Sequence, residues 1–252
     1  MMLKITERCT MGCSHCLNRA TPDGDDMIED VLLDSLDFIR KNTVSKTIII
    51  FGGEPTEHRN FDSMMHLIID YANKHRCFLA CTMTTNGEAI IQEPEKFKQY
   101  VKAANFGLYF QISTDSRYYP RSIPNTHSIY NEKNFEFVPN CVTAMCPIGR
   151  ALDNNLPWNP NVIKSCKCFN VRALSKQLSN VTLADIDGML AACGYFCTPH
   201  ISVDGSIKLG KSDLCPACAS IYDVPKEIIR KIQAFKCSKC EHIDKNLPSL
   251  YR

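Results

Sequence analysis

Short apolar runs alternate with amphipathic stretches through the first half of the chain, the pattern of strands followed by helices. Residues 3–6 read as a first strand. Over residues 27–41, Ile28, Leu32, Leu36 and Ile39 recur on one face of a helix. The unbroken run Thr47-Ile48-Ile49-Ile50-Phe51 suits a strand buried on both faces. Phe61, Met64, Met65, Ile68 and Tyr71 mark a second helix, and residues 77–82 a third strand. Pro94 fits the first turn of a further helix carrying Phe97, Tyr100, Val101 and Ala104. Residues 106–113 predict a fourth strand and residues 135–138 a weaker fifth.

Such repetition implies a parallel sheet with helices outside it, either open or closed into a full or partial barrel. The segment after the first predicted strand is rich in cysteine. The second strand runs into Gly52-Gly53-Glu54-Pro55, the third into Thr84-Thr85-Asn86-Gly87, and the fourth into Ser113-Thr114-Asp115. In a parallel arrangement these segments share the C-terminal edge of the sheet, where such folds place their chemistry.

The second half is patterned differently. Residues 182–193 predict a short helix with Thr182 as N-cap and Asp185 at the third position. Residues 201–209 suggest a small hairpin turning at Asp204-Gly205, and residues 225–235 a helix. The Pro157-Trp158-Asn159-Pro160 stretch reads as a boundary. It divides a core over residues 1–158 from a cysteine-rich unit over residues 159–252.

A chain of 252 residues that is 44% apolar can bury a sizeable core. A formal net charge of +2 gives no bulk argument for nucleic acid or for an anionic membrane surface. No run approaches the roughly 18 apolar residues of a membrane span. The opening residues Met1-Met2-Leu3-Lys4-Ile5 are too soon interrupted for a signal peptide, so the cytoplasm is the expected compartment. Cysteine changes this ordinary picture: there are 15, and many are closely paired. In a reducing compartment, paired cysteines read as metal ligands before disulfides.

Cys9, Cys13 and Cys16 offer three thiolates within eight residues. Thiolates are the soft ligands that iron–sulfur clusters prefer, and three of them leave one iron of a four-iron cluster open. Gly12 lets the segment bend between ligands. The alternative is three buried or zinc-binding cysteines. Cys77, Cys81, Cys141 and Cys146 lack such partner spacing and read as buried thiols.

The spacing Cys-x3-Cys-x2-Cys after a first strand, followed by Gly-Gly-Glu-Pro after the second, resembles the radical S-adenosylmethionine (radical SAM) superfamily. The resemblance covers residues 1 to 155 and implies a partial (β/α)6 TIM-like barrel. It implies a site-differentiated 4Fe–4S cluster whose open iron is chelated by S-adenosylmethionine. One electron then cleaves the sulfonium, and the 5′-deoxyadenosyl radical abstracts hydrogen from a substrate. An electron donor such as flavodoxin or ferredoxin is implied with it. Gly52, Gly53 and Glu54 match the motif that contacts the cofactor's amine, and a carboxylate there accepts charge-assisted hydrogen bonds. Asn86, Ser113 and Asp115 stand where the family often places polar contacts to cofactor or substrate. Residues 147–151 are similar to the Gly-Arg-Ala segment of many relatives, and Arg150 could grip a carboxylate with two bonds. The residue before the third cysteine is usually aromatic in the family; here it is His15.

Eight further cysteines lie in the second half: Cys166, Cys168, Cys193, Cys197, Cys215, Cys218, Cys237 and Cys240. The two Cys-x2-Cys pairs, 215/218 and 237/240, suit a four-thiolate zinc site or a second iron–sulfur cluster. Residues 197–210 resemble the cluster-binding extensions called SPASM and twitch domains. The match is incomplete, because Gly210 stands where those carry a cysteine. The resemblance favours auxiliary 4Fe–4S clusters, while spacing alone allows zinc. Relatives with such extensions mostly act on peptides, so the implied substrate is a peptide or protein. A glycyl-radical-enzyme activase or a small-molecule or nucleoside modifier are alternatives. A zinc-stabilised interaction module is a further one, poorly served by nine basic against five acidic residues over residues 205–252.

Overall fold

The computed structural model describes residues 1–44, 46–121, 123–142, 145, 148–157, 182–185, 200–210 and 215–235. Five strands run from the first half: β1 (Met2–Thr6), β2 (Thr47–Gly52), β3 (Ala80–Thr85), β4 (Gly107–Ser113) and β5 (Phe135–Val138). Helices α1 (Glu29–Asn42), α2 (Phe61–His75), α3 (Glu88–Gln92) and α4 (Pro94–Ala103) connect them. A short helix α5 (Arg150–Asp153) follows β5. Strands β6 (His200–Ile201), β7 (Ser206–Lys208) and β8 (Ala217–Ser220) and helix α6 (Pro225–Ala234) complete the described elements.

The strands form one sheet in the order β5-β4-β3-β2-β1-β6-β7-β8. Neighbours from β5 through β1 to β6 are parallel; β7 and β8 are antiparallel. The four parallel crossovers that join β1 to β5 are those of a partial barrel, as expected. The predicted hairpin forms between β6 and β7, with Gly205 in the left-handed region at φ +79. Its pairing with β1, Met2 opposite His200 and Leu3 opposite Ile201, extends the core sheet into the second half of the chain.

Alternation sets which face is covered. In β4, Leu108, Phe110 and Ile112 are fully buried and share one apolar cluster with Met64, Met65 and Ile68 of α2 and Phe97 of α4. Each such side chain contributes roughly 1.5–3 kcal/mol by leaving water. Gln111 and Ser113 alternate with them and are half-buried; Gln111 Nε2 donates to Glu136 Oε2 of β5 at 3.3 Å.

Two expectations shift. The third strand begins at Ala80 and not at Cys77, because Phe78 turns into the core while Leu79 is 74% exposed and its amide caps Lys46 O at 2.7 Å. Ile28 does not join the inner face of α1: it is the N-cap residue, 63% exposed, and buried Met27 takes its place with an amide bond to Ile5 O at 2.8 Å. Thr182 and Asp185 do form the expected reciprocal cap, each side chain accepting the other's amide. The rest of that predicted helix lies outside the described residues. Among the described residues no helix is long and apolar enough to cross a membrane.

Candidate metal and cofactor site

Because β1 to β4 run parallel, the segments that follow them emerge at one sheet edge. The first holds Cys9, Cys13 and Cys16. It is pinned by Cys9 N donating to Thr21 O at 2.9 Å, Ser14 N to Tyr118 O at 3.0 Å, and Cys16 N to Cys13 O at 3.3 Å. Gly12 occupies the left-handed region at φ +70, where a side chain would be strained.

The three thiols lie close enough to feel one another: Cys13 interacts electrostatically with both Cys9 and Cys16, and Cys9 with Cys16. Burial pushes the Cys9 and Cys13 thiols up to about 12. As free thiols they stay protonated at neutral pH; a bound cation is what would stabilise three adjacent thiolates. Among the described residues no group of three His, Cys, Asp or Glu converges as for a single metal ion. A donor set of three thiolates is one that an iron–sulfur cluster accepts.

The turn of Gly52, Gly53 and Glu54 lies directly against this segment. Gly53 N donates to Thr6 O at 2.8 Å and Glu54 N to Arg8 O at 2.7 Å. A Cβ on Gly53 would stand 2.1 Å from Arg8 O, and one on Gly52 2.4 Å from Thr6 O, so the close approach requires glycine at both. Glu54 is buried, and its carboxylate accepts from Thr56 N at 3.2 Å, Thr56 Oγ1 at 2.8 Å, Thr85 Oγ1 at 2.6 Å and Asn86 N at 2.6 Å. It thereby locks the end of β2 to the end of β3. Burial raises the Glu54 carboxyl above its ordinary range, while Thr85 and Asn86 pull the other way. Three of the four donors meet Oε1, so Oε2 keeps acceptor capacity.

Asn86 is 7% exposed; its Oδ1 accepts Glu88 N at 2.9 Å, while its buried Nδ2 has no hydrogen-bond partner. Ser113 ends β4 half-buried. Asp115 is fully buried; Arg117 forks onto it at 2.8 and 2.6 Å, and Val142 N adds a bond at 3.2 Å. The guanidinium holds the Asp115 carboxyl below its usual range, and the contacts join the segments after β4 and β5. Arg150 reaches the cysteine segment directly: its amide donates to Cys16 O at 2.9 Å, and its guanidinium to Ala20 O and, at 3.5 Å, to Cys13 O. Gly149, at φ +60, allows that contact; a Cβ there would stand 2.3 Å from Cys16 O.

Sequence reasoning missed Thr85, Glu57 and the tyrosines beside His15. The His15 ring lies 5.3 Å from that of Tyr118 and 5.5 Å from that of Tyr119; burial lowers its pKa. Tyr119 OH also meets Cys141 Sγ at 3.8 Å. The tyrosines follow β4 on the site edge, and that position was the available signal. Of the second cysteine set, Cys218 lies on β8, its thiol donating to Ile207 O at 3.2 Å and pushed by burial up to about 12. Cys215 is half-buried just before β8. Cys166, Cys168, Cys193, Cys197, Cys237 and Cys240 lie outside the described residues, as does Cys146.

A family model described as the Radical SAM superfamily matches residues 3–139. Among solved structures, BtrN in complex with AdoMet and 2-DOIA is similar at a TM-score of 0.54 and 12% identity, covering 97% of this chain and 84% of that one. Native anSMEcpe with bound AdoMet and Cp18Cys peptide aligns at a TM-score of 0.43 and 13% identity, covering 96% and 81%. The likeness to BtrN is one of fold. No curated protein matches.

Proposed function

The chain belongs to the radical SAM superfamily, an enzyme family that uses a 4Fe–4S cluster and S-adenosylmethionine, and from that premise we propose that it modifies a peptide or protein by hydrogen abstraction. The observation that carries the site assignment is the docking of the Gly53 and Glu54 amides onto Thr6 and Arg8, beside three mutually interacting thiols. Together the cluster and S-adenosylmethionine supply reductive sulfonium cleavage and a hydrogen-abstracting radical. Cys9, Cys13 and Cys16 would hold three of the irons. The remaining acceptor capacity of Glu54 Oε2 suits an ammonium group, and the unpartnered Nδ2 of buried Asn86 suits a cofactor oxygen. Ser113 is a further polar contact at the same edge. Asp115 and Arg150 act through the backbone, holding neighbouring segments in place.

Asn86→Ala is expected to raise the KM for S-adenosylmethionine by about ten-fold or more, the effect of one hydrogen bond to a charged group. Its iron content should match that of the wild type; anaerobic steady-state kinetics with iron analysis checks both.

The peptide reading rests on the second set of cysteines and on the likeness of residues 197–210 to SPASM and twitch extensions. On this reading residues 159–252 form an auxiliary unit holding 4Fe–4S clusters or zinc, a flavodoxin or ferredoxin supplies the electron, and the protein works in the cytoplasm. The structural similarity to BtrN, whose complex contains 2-DOIA, favours a small-molecule substrate as the second reading. Co-expression with a short peptide encoded beside this chain, followed by mass spectrometry, tests the choice. A mass change that disappears in the Cys9/Cys13/Cys16→Ala variant is expected. Release of 5′-deoxyadenosine stimulated by small molecules, and by no peptide, would overturn the peptide reading.

A further inference from the structure

The turn between Cys9 and Cys13 is held by a carboxylate outside the cysteine and glycine motifs. Glu57 belongs to the 3-10 turn Pro55–Glu57 after β2 and is half-buried. Both of its oxygens accept the Thr10 amide, at 3.1 and 2.9 Å, and one also accepts the Thr10 hydroxyl at 3.0 Å. Thr10 is the residue after Cys9. Its hydroxyl receives Arg121 Nη2 at 3.4 Å, and Arg121 forks onto Glu88 at 2.7 and 3.0 Å. Glu88 opens α3, so the segments after β1, β2, β3 and β4 all meet around Thr10.

The meeting point is charged as well as bonded. Glu57 acts electrostatically on the Cys9 sulfur, and so does Arg121, with the opposite sign. Exposed ion pairs contribute little to stability on their own. A charge beside a redox centre still acts on every electron that enters it, because added negative charge is repelled by a carboxylate.

We propose that Glu57 is a positioning residue for the iron–sulfur centre: it fixes the turn that presents Cys9, and its negative charge, offset by Arg121, lowers the centre's reduction potential. This rests on the assignment of Cys9, Cys13 and Cys16 as the cluster ligands. Hydrogen bonding and charge can be separated. In Glu57→Gln the amide oxygen still accepts the Thr10 amide and the amide nitrogen can donate to the Thr10 hydroxyl, but the charge is gone. In Glu57→Ala both are gone.

The test uses the full chain, reconstituted anaerobically with iron and sulfide. The midpoint potential is read by titration followed by electron paramagnetic resonance, and iron release to a ferrous chelator is timed. Glu57→Gln is expected to load and retain iron as the wild type does, with a higher midpoint potential. Glu57→Ala is expected to release iron about ten-fold faster, the usual scale for a partner of a metal ligand. An unshifted potential in Glu57→Gln refutes the electrostatic role, and wild-type retention in Glu57→Ala refutes the positioning role. A wild-type protein that forms no cluster removes the ligand assignment and this proposal together, whereas a normal wild-type cluster with either null result removes the proposal alone.

Discussion

Replacing Cys9, Cys13 and Cys16 together by alanine is expected to abolish reductive cleavage of S-adenosylmethionine and to remove one 4Fe–4S cluster per chain. The three thiols sit on one pinned segment, at the edge where Gly53 and Glu54 dock. The backbone of the segment is held by contacts that do not involve sulfur: Cys9 N to Thr21 O, Ser14 N to Tyr118 O, and Arg150 N to Cys16 O. The fold should therefore survive the change. The checks are 5′-deoxyadenosine by chromatography under reduction, iron and sulfide per chain, and circular dichroism. Any auxiliary iron should remain. Cleavage that persists in the triple variant would place the reactive cluster elsewhere.

Glu54→Ala carries the second-largest effect, and it reads out in stability as well as activity. The Thr56 and Thr85 hydroxyls can turn to other acceptors, but the amides of Asn86 and Thr56 are fixed and lose theirs. Each buried orphan costs about 1–3 kcal/mol, so a total of roughly 2–4 kcal/mol is expected. In a chain of this size that lowers Tm by roughly 5–15 °C, measurable by calorimetry. Glu54→Gln probes the charge. Because burial raises the Glu54 carboxyl in the folded state, the folded protein holds that proton more tightly than the unfolded chain. The associated stability is full at low pH and is lost as pH rises through the raised value. The stability of wild type relative to Glu54→Gln should accordingly fall with rising pH across that window and level off above it. Denaturant unfolding at a series of pH values would show it; a difference rising with pH would contradict the direction.

Periodicity placed the five first-half strands and, with Pro94 marking the start of α4, the helices α1, α2 and α4, because each buries one face and the burial repeats with the element's own period; the short helices α3 and α5 were not predicted. It failed where an apolar residue sits outside an element: Ile28 and Leu79 are exposed at the margins of α1 and β3, and nothing local distinguishes them from their buried neighbours. The pairing of β6 with β1 was not legible either. It joins residues nearly 200 positions apart, and only two residues of each strand carry it. The site divides in the same way. The cysteines and glycines announce themselves by spacing. The Thr85–Glu54 bond spans 31 positions and the Thr10–Glu57 bonds span 47, and both use residue types common in any turn. The polar residues singled out from the sequence have a different prominence in space: the Glu54 and Asp115 carboxylates are wrapped by donors, while the Asn86 amide retains an unused donor.

The central place of β1 has a consequence for how the protein is made. The strand that leads into the cysteine segment is synthesised well before β6, yet β6 is one of its two flanking partners. Until residue 201 has left the ribosome, the edge of β1 that pairs with β6 carries unpaired backbone groups. An unsatisfied strand edge invites pairing with other chains. Chaperone dependence at elevated expression temperature, and insolubility of fragments truncated before β6, are the signatures to look for.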